Sequence, residues 1–175
     1  MFRRICIAFT LICIASTVPA QEKNSEKSKI PIKDRIYFGG NLGLQFGNYT
    51  LIELSPLVGY RFTERFSSGL GLTYMYYDVK DLDYSTNIYG GRVFSRFSIT
   101  ESIFAHSEYE LLNLEVFDFN QLKRRNVDAL FIGGGIQQSL GRSGGLYLMV
   151  LLDIIEHRYS PYANPVIRVG FTAGL

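Results

Sequence analysis

Cysteine is scarce in this chain of 175 residues, and both copies, Cys6 and Cys13, fall within the first 20 residues. Those residues have the layout of a secretory leader: Arg3 and Arg4, an apolar run from Ile5 to Ile14, and a small-residue exit that ends in Val18, Pro19 and Ala20. With cleavage expected after Ala20, residues 1–20 are a signal peptide and the mature chain has no thiol, which excludes disulfides and cysteine metal sites. A lipid anchor on Cys13 is disfavoured, because bulky Ile12 stands where lipid attachment needs a small residue. An excess of one charge is lacking too. The full chain has 18 Lys and Arg against 16 Asp and Glu; without Arg3 and Arg4 the balance is 16 against 16, and nothing resembles a nucleic-acid footprint. Long apolar runs are missing as well. The leader's run is too short for a hydrocarbon core of roughly 30 Å, which takes about 20 apolar residues, and no later segment is longer. Histidine occurs only at His106 and His157, at opposite ends by the topology below, so no metal ligand set is visible and no cofactor is expected.

What is present is a rhythm of two. In 36–46 the even positions read Ile36, Phe38, Gly40, Leu42, Leu44, Phe46 and the odd ones Tyr37, Gly39, Asn41, Gly43, Gln45: one greasy face and one small or polar face, hence a strand. The pattern recurs eight times, predicting strands near 35–46, 50–62, 66–77, 87–98, 102–113, 127–139, 145–156 and 164–175. Residues 21–34 are polar and aperiodic and read as a flexible periplasmic lead-in; no composition break follows, so 35–175 reads as one domain. Segments of about ten alternating residues, even in number, are the mark of a transmembrane β-barrel. The fold class expected is all-β, an eight-stranded antiparallel up-and-down transmembrane barrel. With the amino terminus in the periplasm, the tight connections 63–65, 99–101 and 140–144 share the periplasmic side, and the longer 78–86, 114–126 and 157–163 face outward.

The greasy faces carry two aromatic sets, Phe62, Phe66, Phe97 and Phe171 towards the periplasmic end and Phe46, Tyr74, Tyr76, Tyr89 and Tyr109 towards the outer end, as interfacial girdles would. A soluble β-sandwich also alternates, with its apolar face inward. The leader, the girdles and the connection parity favour the membrane barrel.

The strings LSPLVGYRFTERFSSGLGLTYMYYD, IYGGRVFSRFSITESIFAHSEYELLN and LFIGGGIQQSLGR, with the closing NPVIRVGFTAGL, resemble small outer-membrane β-barrel proteins of Bacteroidota-type Gram-negative bacteria, over about 35–175. That resemblance implies a barrel similar to the OmpA transmembrane domain, in the outer membrane, mostly with no established activity. Such barrels usually end in an aromatic residue read by the barrel-insertion machinery; this one ends in Leu175, with Phe171 on the same face.

Three groups of residues are candidates for chemistry. Glu53, Arg61, Arg92, Arg96, Glu108, Glu110 and Arg168 share the non-greasy face, and an eight-stranded barrel is just wide enough to be filled by side chains. Charges held there need partners, so a salt-bridge plug is expected, with a gated ionic path or small polar ligand site as the alternative. His106, Ser107 and Glu108 have the residue types of a hydrolase triad, and some eight-stranded outer-membrane barrels modify lipid. Neighbours on a strand point to opposite faces, however, so His106 is expected to be an inward polar filler. The apolar run Leu114, Val116, Phe117, Phe119 and the basic Lys123, Arg124, Arg125 read as an outer extension of strands five and six whose cations are solvated or touch lipopolysaccharide phosphates, with a partner-docking loop as the alternative. The function expected is a non-enzymatic, monomeric outer-membrane barrel with a structural or surface-interaction role, in contact with outer-membrane lipid and lipopolysaccharide. A narrow channel or a lipid-modifying enzyme stands as the alternative.

Overall fold

A computed structural model describes residues 35–45, 49–79, 84–118, 121–141 and 144–174; the expected leader, the lead-in over 21–34, Phe46, Phe119 and Leu175 lie outside the described residues. Eight strands follow one another: β1 (Ile36–Gln45), β2 (Tyr49–Arg61), β3 (Phe66–Val79), β4 (Tyr84–Ser98), β5 (Ile103–Asp118), β6 (Gln121–Ser139), β7 (Gly144–Asp153) and β8 (Val166–Ala173). Each pairs antiparallel with its neighbours in sequence, and β8 returns to β1 with Phe38 opposite Ala173 and Leu42 opposite Val169. The sheet is therefore the closed up-and-down barrel expected, with no free edge.

One end carries tight turns whose chemistry is written twice in the sequence. Residues 62–65 (Phe-Thr-Glu-Arg) and 99–102 (Ile-Thr-Glu-Ser) have the same apolar-Thr-Glu-polar order. In each, the threonine hydroxyl accepts the next strand's first amide, Phe66 N at 2.9 Å and Ile103 N at 3.0 Å. The backbone amides of Phe62 and Thr63 converge on the Phe66 carbonyl, as those of Ile99 and Thr100 do on that of Ile103. This is the side-chain mimicry of a turn that Ser and Thr provide. We call this the turn end and the opposite one the loop end.

At the loop end two elements differ from the sequence reading. The segment 114–126, counted by its spacing as a connection, is the extension of strands five and six that is also expected: β5 runs to Asp118 and β6 starts at Gln121, with Leu114 opposite Arg125 and Val116 opposite Lys123. Its alternation has the same cause as elsewhere, Leu114 and Val116 being buried inside. By contrast β7 ends at Asp153, short of the expected 156. The Asp153 carboxylate accepts the Ile155 amide at 3.1 Å, and Asn164 both donates to the Asp153 carbonyl (3.1 Å) and accepts its amide (3.1 Å). That neck turns 154–165 into the longest connection among the described residues.

The two faces separate cleanly. Outside lie Phe38, Leu42, Leu54, Val58, Leu70, Leu72, Ile132, Leu152, Ile167 and Val169, with Leu70 and Leu72 each 67 % exposed. Phe62, Phe66, Phe97 and Phe171 ring the turn end on this face, and Tyr74, Tyr76 and Tyr89 the loop end, Tyr74 and Tyr89 packing at 5.5 Å between ring centroids. Tyr109, opposite Val93, sits lower on the same face. Inside, the barrel is stacked in layers: Tyr37, Leu57 and Phe94, with Phe104 and Tyr147, near the turn end; a polar middle; and Leu51, Met75, Ile88, Leu112, Leu114, Val116 and Val127 towards the loop end. The large inner rings are accommodated by glycine: a Cβ on Gly59 would collide with the Tyr37 ring, and one on Gly170 with that of Tyr147.

Candidate functional site

The middle layer brings most of the expected charged residues together, and period two is what places them: each strand contributes one or two inward positions at that height. Arg168 of β8 is the hub. It donates from Nη1 to Glu108 Oε1 at 2.5 Å and from Nη2 to Glu110 Oε2 at 3.5 Å, and its Nε lies 3.6 Å from Glu53 Oε1. Arg92 of β4 stands 3.5 Å from Glu108 and 3.9 Å from Glu53, and donates to Asn41 Oδ1 (2.6 Å) and to the Ser55 carbonyl (3.1 Å). The same Glu53 Oε1 accepts from Asn41 Nδ2 at 3.0 Å and from Ser55 Oγ at 2.7 Å. Glu110 accepts from Thr73 Oγ1 and, at 2.6 Å, from the Tyr162 hydroxyl. Every one of these carboxylates and both guanidiniums are buried. Dense hydrogen bonding of this kind offsets the cost of taking ions out of water.

Two predicted members stay apart from the ion pairs. Arg61, at the end of β2, is only half-buried and lies over the Tyr37 ring with its guanidinium carbon 5.5 Å from the centroid. Arg96 is buried, 6 % exposed, yet no carboxylate among the described residues lies within ion-pair distance of it. Its guanidinium instead lies over the rings of Phe104 (4.3 Å) and Tyr147 (4.7 Å), and its Nε and Nη2 have no hydrogen-bond partner. A sequence pattern of period two puts a residue on a face, but the pairing register decides what it meets. For Arg96 the strand partner is His106, not an acid.

His106 is the inward polar residue expected. It stacks on Phe94 at 5.7 Å, its Nε2 is 3.3 Å from Glu108 Oε2, and its Nδ1 is without a partner. Ser107 lies exposed on the outer face, so the base and hydroxyl of a triad do not meet. His157 sits in the 154–165 connection, away at the loop end. Among the described residues no three metal-ligating side chains converge.

The residue that the sequence reading missed is Tyr162. The 154–165 connection turns back into the barrel mouth, where the Tyr162 ring packs edge-on against Phe131 at 5.1 Å and its hydroxyl reaches both Glu110 and Arg168, the latter at 3.3 Å. Burial, and then the Glu110 and Glu53 carboxylates, push this hydroxyl well above the usual tyrosine range, Arg168 opposing. No periodicity marks a residue on a loop that folds inward. Arg124 also differs from expectation: it lies back on the wall, 3.3 Å from Glu115, and donates to Asn113 Oδ1 (3.0 Å) and the Asn87 carbonyl (2.9 Å).

A cavity opens at each end of the barrel. A vestibule of about 680 Å³ opens at the turn end, lined among others by Arg61, Arg96, Tyr37 and Gln137. A cleft of about 540 Å³ opens at the loop end between the Tyr77, Leu114 and Val116 wall and the Tyr159–Tyr162 stretch of the connection.

No family model and no curated protein matches the chain. Among solved structures it is similar to the N-terminal β-barrel domain of Pseudomonas aeruginosa OprF, with 13 % identity over 79 % of this chain and 95 % of that one, at a TM-score of 0.48.

Proposed function

We propose that this chain is a non-enzymatic, monomeric outer-membrane protein that crosses the bilayer as an eight-stranded barrel, its interior closed by an ionic plug and its loop end directed outward for surface contacts. One observation carries the reading. The outer face is predominantly apolar on every strand, from Phe38 and Leu42 on β1 through Leu70 and Leu72 on β3 to Ile167 and Val169 on β8, with few polar interruptions such as Ser107. Water would penalise so extensive an apolar surface, whereas lipid solvates it, and a closed barrel leaves no backbone group unpaired within the hydrocarbon. Aromatic rings at both rims suit the two interfaces of a membrane. On this reading the partners are outer-membrane lipid, lipopolysaccharide and the insertion machinery, with export depending on residues 1–20.

The second reading, a narrow channel, draws on the cavities at the two ends of the barrel and the charged layer in its middle. Conductance separates the two. Protein reconstituted into planar bilayers should leave the membrane without discrete current steps; sustained single-channel openings would replace the plug by a channel.

A further inference from the structure

Arg96 has no role in the plug. A cation that is buried, carries two unsatisfied N–H groups and lacks an acid partner is expensive, and such groups in native proteins call for a ligand or a function. Its surroundings indicate which. The guanidinium stands over two rings, Phe104 and Tyr147. A guanidinium's N–H donors form a planar fork that carboxylate and phosphate groups match. Arg96 also lines the turn-end vestibule, together with Arg61 and Arg65, with its two unsatisfied donors buried behind that wall. Ser67 and Gln137 supply neutral polar groups to the same walls. The acids in the lining, Glu64 and Glu101, are exposed on the two turns at the rim.

We propose that the turn-end vestibule is an oxyanion-binding site, in which Arg96 at its floor and Arg61 on its wall hold the phosphate or carboxylate group of a small soluble molecule. The site is independent of membrane insertion, because it lies inside the barrel and needs only that the barrel be folded. The vestibule is far larger than an inorganic oxyanion, so the group bound belongs to a solute that fills the remaining space.

Calorimetric titration of the folded full-length protein in a non-ionic detergent, which brings no lipid headgroup, tests this with inorganic phosphate and succinate as probes at constant ionic strength. Saturable binding of at least one probe is expected. Arg96→Gln should weaken it about tenfold or more, the loss typical of a charge-assisted hydrogen bond, and Arg61→Gln should weaken it severalfold. Arg61 is half-buried and outside the plug, so its variant remains informative should Arg96→Gln fail to fold. Absence of saturable binding by either probe, or an affinity unchanged in the folded variants, would overturn the assignment.

Discussion

Arg168 and Arg96 are two buried arginines in one barrel with opposite energetic standing. Arg168 touches Glu53, Glu108 and Glu110; removing it strands three buried carboxylates, and breaking a buried ion pair from one side typically costs about 3–5 kcal/mol. Arg96 lies over the rings of Phe104 and Tyr147, an interaction worth about 0.5–2 kcal/mol, and deleting it leaves no orphaned acid. In urea titrations of the detergent-folded protein, Arg168→Met should therefore lose several kcal/mol and Arg96→Gln no more than about 2 kcal/mol. Equal losses would mean that the ionic layer does not stabilise the barrel as the pairings imply. The sequence placed all of these residues on one face because side chains alternate with a fixed period. It could not distinguish their roles, since Arg92 comes to lie opposite Glu110 and Arg96 opposite His106 only once β4 and β5 are set in register.

At the level of elements, the strands and tight turns were legible because each is specified locally: the dyad pattern for the walls, the two Thr-Glu turns for the hairpins between β2 and β3 and between β4 and β5. The extension of β5 and β6 was legible too, because Leu114, Glu115 and Val116 keep the alternation. The 154–165 connection was not, since its conformation depends on the neck at Asp153 and Asn164 and on partners inside the barrel. Tyr162 is the consequence that can be tested. Its hydroxyl is held neutral by burial and by the carboxylates near it. A folded-state pKa raised above the unfolded value means that the stabilisation is full below the ordinary tyrosine value of about 10 and is lost as pH rises from there through the folded value. Tyr162→Phe should lower stability at neutral pH by about 1.5–3 kcal/mol, the range for a hydrogen bond to a charged group, and should flatten the alkaline decline in unfolding free energy. An identical decline in the variant would assign that titration to other groups.

For the whole molecule the decisive fact is the outer face: the barrel buries a layer of ion pairs in its interior while exposing Leu, Ile, Val and Phe along the outside of its strands. A protein folded in water hides apolar surface, at roughly 25 cal/mol per Å² removed from solvent. Here the closed ladder from β1 to β8 satisfies the backbone while the side chains face outward, which is the arrangement a lipid solvent selects. Membrane insertion is thus the claim on which the account rests. The most direct test is to express the full chain in a Gram-negative host, isolate outer membranes, and compare the gel mobility of unheated and boiled samples. The account predicts an outer-membrane band that migrates faster before boiling, because the closed barrel survives detergent until heat opens it. A soluble periplasmic product with the same mobility before and after boiling would contradict it.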